Sequence, residues 1–202
     1  MPLRPPRKTT ISRTYRSEQR RGPRDRGPLT TPIRSIAVIK EKTGEITLTT
    51  ENIPDQLTER PQWVCWRLEV RKGEPTKVPY TPGTRSRASS TDLMTWRTFE
   101  EALEAYETSE PIAYDGLGFV FCSADPFVGL DLDDCVDPES GEISTWAQKV
   151  ISRVREGYVE ISPSGNGIHI IVEGTVRDGG MRKGKVEMYG RGRFFTITGR
   201  PV

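Results

Sequence analysis

The chain has 202 residues, enough for one domain of ordinary size, with 30 Lys and Arg against 28 Asp and Glu and a formal net charge of +2. No run approaches the roughly 20 apolar residues of a membrane span. Three cysteines without C-x-x-C spacing and the lack of an apolar leader argue against a disulfide framework and for a soluble protein in a reducing cytoplasm; a lone histidine excludes a Cys/His zinc cluster of any usual spacing.

The small net charge hides an asymmetry. Residues 1–34 hold ten Arg or Lys and two acids, a balance of +8, so the rest carries −6. This tail is rich in Arg, Pro, Gly, Ser and Thr and poor in apolar residues, which predicts a disordered basic arm suited to a nucleic-acid backbone. A solubilising leader, or an upstream region not normally translated, is the alternative. Residues 35–202 are the expected globular domain.

Within it, residues 36–39 and 46–49 flank a glycine-containing turn and read as a β-hairpin. Residues 52–61 read as a polar connector, 63–70 as a strong strand, 71–74 as a turn and 77–80 as a short edge strand, since Pro79 cannot donate to a central ladder. A loop follows over 81–91. Thr95 is placed to cap a helix over 96–106, with Trp96, Phe99, Leu103 and Tyr106 on one face and acids on a solvated opposite face. Residues 116–121 and 127–133 read as an antiparallel strand pair. Ser144 is placed to cap a helix over 145–156 that Gly157 stops. Strands follow over 158–162 and 168–173 around a turn at 163–167, then a basic glycine-rich loop over 176–185, and a last pair over 186–189 and 194–198. The pattern is an α/β chain of α+β type, with mostly antiparallel strands and helices packed on one side.

The acidic strand is the most informative element. Alternation puts Asp131 and Asp133 on one face and Leu130 and Leu132 on the other, which suits a metal platform better than a core. His169 starts a strand just after the turn holding Ser164, Gly165 and Gly167. Glu187 sits between apolar residues on a short strand, bracketed by Arg182, Lys183, Lys185, Arg191 and Arg193. Three carboxylates can hold two Mg²⁺ or Mn²⁺ ions for phosphoryl transfer, and a small turn with exposed N–H groups, a histidine and basic residues can hold a triphosphate. Two look-alikes fail. The stretch 131–142 has acids at EF-hand spacing, but Val136 stands where the sharp turn needs Gly and a strand pattern precedes it. The stretch 179–186 matches G-x-x-x-x-G-K without the following Ser or Thr, and it leads into a strand.

Asp131-Leu132-Asp133, the segment 164–169 ending in His169, and Glu187, in this order, resemble the three motifs of the archaeo-eukaryotic primase superfamily, and within it the primase-polymerase (prim-pol) domains of phage and plasmid replication proteins. The flanks at 63–66, 77–80, 88–92, 95–99, 116–121 and 194–199 fit as well, so the likeness covers about residues 61–199. The resemblance implies an RRM-like catalytic sheet joined to a smaller α/β module. It implies metal binding by Asp131, Asp133 and Glu187, and triphosphate contact by His169, with Ser164 and the turn amides of Gly165 and Gly167. It implies more weakly phosphate or template contacts by Lys77, Arg191 and Arg193. DNA template, primer and nucleoside triphosphates are the expected partners, with a helicase in trans or in a further C-terminal region. Such domains usually precede a helical region needed for priming, whereas this chain stops after its last strand; nucleotide addition is therefore the firmer expectation than unaided primer initiation. A catalytically inactive nucleic-acid-binding replication protein and a carboxylate metal-dependent nuclease are the alternatives.

Overall fold

The computed structural model describes residues 48–177 and 179–202. The basic tail and all but the last two residues of the hairpin expected over 36–49 lie outside them. Among the described residues no helix is long and apolar enough to cross a membrane.

Strand β1 (Trp63–Arg71) and strand β2 (Glu74–Tyr80) form a hairpin in register from Cys65–Tyr80 to Arg71–Glu74. Both turn residues, Lys72 and Gly73, have positive φ (52° and 86°), as the tight turn that matches strand twist requires. Strand β2 is longer than the sequence suggests and is an edge, which tolerates its two prolines. The 52–61 connector is structured. Its 3₁₀ turn (Thr50–Asn52) and short helix α1 (Asp55–Thr58) bury Ile53 and Leu57, two apolar residues in an otherwise polar stretch.

Helix α2 (Phe99–Thr108) starts three residues later than the periodicity suggests. Thr98, not Thr95, caps it: its hydroxyl accepts the Glu101 N–H at 3.3 Å, and the Glu101 carboxylate accepts the Thr98 N–H at 3.0 Å. The Thr95 hydroxyl instead donates to the Asp92 carbonyl at 2.7 Å. Trp96 is extended and buried with Val64 and Val120, its indole N–H donating to Ser89 O at 2.7 Å.

Strand β3 (Gly116–Phe121) and strand β4 (Phe127–Leu132) do not pair, contrary to expectation. The Asp125 carboxylate between them accepts N–H groups from Cys122 and Phe127 and the Gln62 amide. This pinned corner sends the chain from one sheet to another. Helix α3 (Thr145–Ile151) is shorter than expected; Ser144 makes no side-chain cap bond, and Gly157 is not the stop but the point where the chain passes against Val172 and the Ile171 carbonyl. Strand β5 (Tyr158–Ile161), strand β6 (Ile168–Glu173), strand β7 (Met181–Lys183), strand β8 (Val186–Tyr189) and strand β9 (Arg193–Ile197) complete the domain. Part of the expected basic loop is thus a strand, and β8 and β9 belong to different sheets.

The sheets run β2-β1-β3-β9 and β5-β6-β4-β8-β7, with every strand pair antiparallel. Helix α2 packs on the first sheet. Helix α3 covers the Leu132, Ile168 and Ile170 face of the second. The opposite face of the second sheet meets the first through a shared core that includes Phe119, Phe121, Phe195, Phe127 and Ile171. Contact is closest at Gly129, where a Cβ would lie 2.6 Å from both the Phe121 and Phe195 rings. Past β9 the chain crosses to the second sheet: Ile161 N–H donates to Arg200 O at 2.9 Å and Val202 N–H to Val159 O at 3.1 Å. The molecule is of the α+β class expected from its sequence.

Candidate active site

Register builds the site. In the second sheet Asp131 is the direct cross-strand partner of His169 on one side and of Glu187 on the other. The same row continues to Glu160 beyond His169 and to Arg182 beyond Glu187. Directly opposed residues share a face, so five polar side chains from five strands form one line across the sheet. Along β4 the same face carries Phe127, buried; Gly129, pressed by two rings; and Asp131, whose side chain is 30% exposed. The sheets are packed at the Phe127 end and open to solvent at Asp131.

Asp131 Oδ1 lies 3.8 Å from His169 Nε2. Burial pushes the Asp131 carboxyl above the ordinary range; His169 and Lys77 draw it down, while Asp133 and Glu187 push it further up. Two further carboxylates therefore bear on Asp131. Asp133 lies just past the strand end, exposed, and its N–H donates to Lys185 O at 2.9 Å. Asp134 turns away with a left-handed φ of 45°, its carboxylate 3.6 Å from Lys185 Nζ.

His169 is held from behind. Its ring stacks on Phe195 with centroids 4.7 Å apart, and Nδ1 is 3.0 Å from the Thr196 carbonyl and 3.4 Å from Glu160 Oε1. Glu160 is fully buried, and its Oε2 accepts the Tyr158 hydroxyl, the Thr198 and Gly199 N–H groups and the Thr198 hydroxyl, all between 2.8 and 2.9 Å. Lys77 reaches the same region from the first sheet, with Nζ 3.5 Å from Thr196 Oγ1 and 5.8 Å from the Trp66 ring centre. Burial depresses its pKa, and Asp131, Asp133 and Glu160 counter that.

The 163–167 turn is clamped to the end of β4. The Asn166 carbonyl accepts the Cys135 and Val136 N–H groups at 2.8 and 3.0 Å, and a Cβ on Gly167 would lie 2.9 Å from Leu132 O. Gly165 takes a left-handed φ of 80°, and the Ser164 hydroxyl is 2.9 Å from that of Ser162. Gly167 is thus placed against the end of β4, and the Asn166 amide donates to Asp134 Oδ1 at 3.2 Å. Arg191 and Arg193 are not beside the acids: both are exposed, and the Arg193 guanidinium sits 5.0 Å from the Tyr189 ring centre, beyond Glu187.

Glu187 is engaged. Its Oε1 lies 2.8 Å from Arg182 Nη1, and its Oε2 accepts the Tyr189 hydroxyl. Among the described residues no three His, Cys, Asp or Glu side chains are drawn together at metal-binding geometry. The chemistry of the donor set nevertheless fits a hard divalent cation: oxygen ligands only, with like charges that raise the pKa of a buried carboxyl. Occupancy would require Glu187 to exchange Arg182 for the ion.

Sequence reading missed Glu160. Its signal was present, since Glu160 lies between Val159 and Ile161 on a short strand just as Glu187 lies between Val186 and Met188. It also missed Tyr189 and the Phe195–Thr196 backing of His169, which depend on how β9 meets the second sheet and have no local signature.

No protein-family model matches the chain. Over 151 residues it is 38% identical to a DNA primase-polymerase of Nitratiruptor phage NrS-1, a match covering 71% of this chain and 20% of that protein. The chain spans about a fifth of the length of the curated relative it matches.

Proposed function

The chain carries a primase-polymerase domain, and from that premise we propose that it catalyses template-directed nucleotidyl transfer on DNA. The observation that carries this reading is the register that sets Asp131 between His169 and Glu187 on one open sheet face.

On this reading Asp131, Asp133 and Glu187 would hold Mg²⁺ or Mn²⁺, which when bound supplies charge neutralisation at the reacting phosphate. The remaining tasks fall to the chain. The 163–167 turn stands at the Leu132 end of β4, and to meet phosphate oxygens its Gly165 N–H would leave the Ser162 carbonyl at 2.9 Å and its Ser164 hydroxyl would leave Ser162 and Asn166. Since the Thr196 carbonyl only accepts, Nδ1 of His169 carries a hydrogen, and Nε2 faces the substrate side. With a hydrogen on Nε2 as well, His169 donates to a phosphate oxygen. Phe195 fixes the plane of the ring, so little freedom is lost when substrate binds. Lys77 adds a positive charge from the first sheet. DNA template, primer and nucleoside triphosphates are the partners, and a helicase acting with them belongs to the same proposal.

Primer extension on a labelled template with Mg²⁺ or Mn²⁺ tests it. Asp131→Ala and His169→Ala each lower extension by about a thousandfold or more. Extension that survives both substitutions ends the proposal. The Glu187–Arg182 ion pair favours a second reading, a nucleic-acid-binding replication protein without catalysis. The same assay separates the two, because that protein binds DNA and incorporates nothing with either ion. Nicking without incorporation would identify a metal-dependent nuclease instead.

A further inference from the structure

A triphosphate makes a demand on the 163–167 turn. A backbone N–H that meets a phosphate oxygen must first leave the acceptor it already holds. In this turn the Gly165 N–H donates to the Ser162 carbonyl at 2.9 Å. Ser162 is buried, with 4% exposure, so water does not replace a donor lost there. A buried carbonyl left without any donor would count against binding.

The structure gives that carbonyl a second donor. Arg200 Nη2 donates to Ser162 O at 3.0 Å, and a carbonyl oxygen has two lone pairs with which to accept both. Arg200 lies past β9, where the chain crosses to the second sheet, and its backbone is fixed there. Glu160 Oε2 accepts the Thr198 and Gly199 N–H groups at 2.9 Å each. The Arg200 N–H donates to Thr198 Oγ1 at 3.2 Å, and Arg200 O accepts the Ile161 N–H at 2.9 Å. Gly199 takes a left-handed φ of 70°, and a Cβ on it would overlap the Thr49 carbonyl, so only glycine fits this crossing. The Arg200 guanidinium is not spent elsewhere. Its Nε is buried without a hydrogen-bond partner, and among the described residues no carboxylate pairs with it. Gly165, by contrast, has room to move, since a Cβ on it would meet nothing within 4 Å.

We propose that Arg200 is a positioning residue for the triphosphate turn: its guanidinium keeps the Ser162 carbonyl hydrogen-bonded while the Gly165 N–H turns from that carbonyl to a phosphate oxygen. The bond that stays is charge-assisted and the bond that leaves is neutral, so the turn opens at the weaker of the two. The same segment, Thr198–Arg200, holds Glu160 behind His169. One crossing segment thus steadies both elements that would face the triphosphate. The assignment rests on the nucleotidyl transfer proposed above and names what lets the turn accept a phosphate.

The test uses the full chain with dTTP and Mg²⁺, reading the Gly165 backbone amide resonance by NMR beside the nucleotide KM in primer extension. In the parent, dTTP moves that resonance. Arg200→Met removes the donor but leaves Ser162 O bonded to Gly165, so the variant melts near the parent. Its nucleotide KM rises about tenfold with kcat near the parent value. Its Gly165 resonance stays at the free position at dTTP levels that saturate it. Arg200→Lys retains a cationic donor and recovers most of the KM and of the resonance shift. Affinity for a labelled single-stranded oligodeoxynucleotide, read by fluorescence anisotropy, is that of the parent in both variants. A parent-like KM in Arg200→Met overturns the inference, and so does a parent resonance that dTTP leaves unmoved. A raised KM with Gly165 moving as in the parent also overturns it, because Arg200 would then touch phosphate directly. A melting point of Arg200→Met far below the parent would make Arg200 a structural residue and has the same force. Asp131→Ala is the separate control: extension that persists in it removes the proposed reaction, while the Gly165 resonance still judges the turn by itself.

Discussion

Asp131 sits where burial and charge oppose each other. Its pKa is raised first by burial and then by Asp133 and Glu187, with His169 and Lys77 pulling the other way. The folded state therefore holds a proton at this carboxyl more readily than the unfolded chain does. Its contribution makes stability fall as pH rises from the ordinary carboxylate range through the raised folded value. Asp131→Asn keeps the volume and removes the charge, so at neutral pH it melts at or above the parent, and the gap closes on acidification below the folded pKa. Extension activity is lost in the same protein. A melting point well below the parent at pH 7 would make Asp131 a structural residue instead. Paired acids and a lone histidine were legible because each marks itself locally. Glu160 was not selected, although its immediate neighbours are as apolar as those of Glu187. What distinguishes it is complete burial behind His169, with donors from Thr198 and Gly199 nearly forty residues away. No window along the chain shows that.

At the scale of elements, periodicity gave the existence of helix α2 and capping chemistry its boundary, whereas for helix α3 neither Ser144 nor Gly157 marks an end. Helix α2 shows which prevails. Trp96 continues the apolar stripe of Phe99, Leu103 and Tyr106, yet the reciprocal Thr98–Glu101 pair satisfies two N–H groups that the helix leaves without intrahelical partners where it begins at Phe99. The T-x-x-E signature was in the sequence and outranks one more residue of stripe. Thr98→Ala removes the hydroxyl acceptor and costs about 1 kcal/mol of stability. Chemical denaturation reads this as a lower midpoint with an unchanged slope. Glu101→Gln retains an acceptor for the Thr98 N–H and costs less. If Thr98→Ala unfolds with the parent, the box contributes nothing. The short strand β7 was missed for the opposite reason: Met181, Arg182 and Lys183 are all exposed and carry no alternation, so only pairing with β8 defines them.

For the whole molecule, the decisive feature is that neighbours in sequence separate into different sheets. A β3–β4 hairpin and a β8–β9 pair would each be the shortest connection, and the five-residue and three-residue links invite both. The structure instead alternates the chain between sheets, with β3 and β9 paired in one and β4 and β8 in the other. Asp131 and Glu187 become neighbours only through that exchange. It places Phe121 and Phe195 of the first sheet directly on Gly129 of the second, and Phe195 in turn on His169. Gly129→Ala tests the interlock, because two effects compete there. Alanine in a strand gains about 0.5–1 kcal/mol over glycine from lower unfolded-chain entropy. The new methyl would lie 2.6 Å from two aromatic rings in the packed core, and overpacking of this kind costs about 1–3 kcal/mol. Neither ring is the free end of a flexible chain: Phe121 is fully buried, and Phe195 is held between Gly129 and His169. The clash therefore wins, and Tm falls by a few degrees. Relief by movement of Phe195 also tilts His169, so the nucleotide KM in primer extension rises while affinity for the oligodeoxynucleotide stays near the parent value. A variant that melts with the parent and keeps its nucleotide KM would mean that the sheets are not locked at Gly129 and that His169 takes its orientation from Thr196 and Glu160 alone.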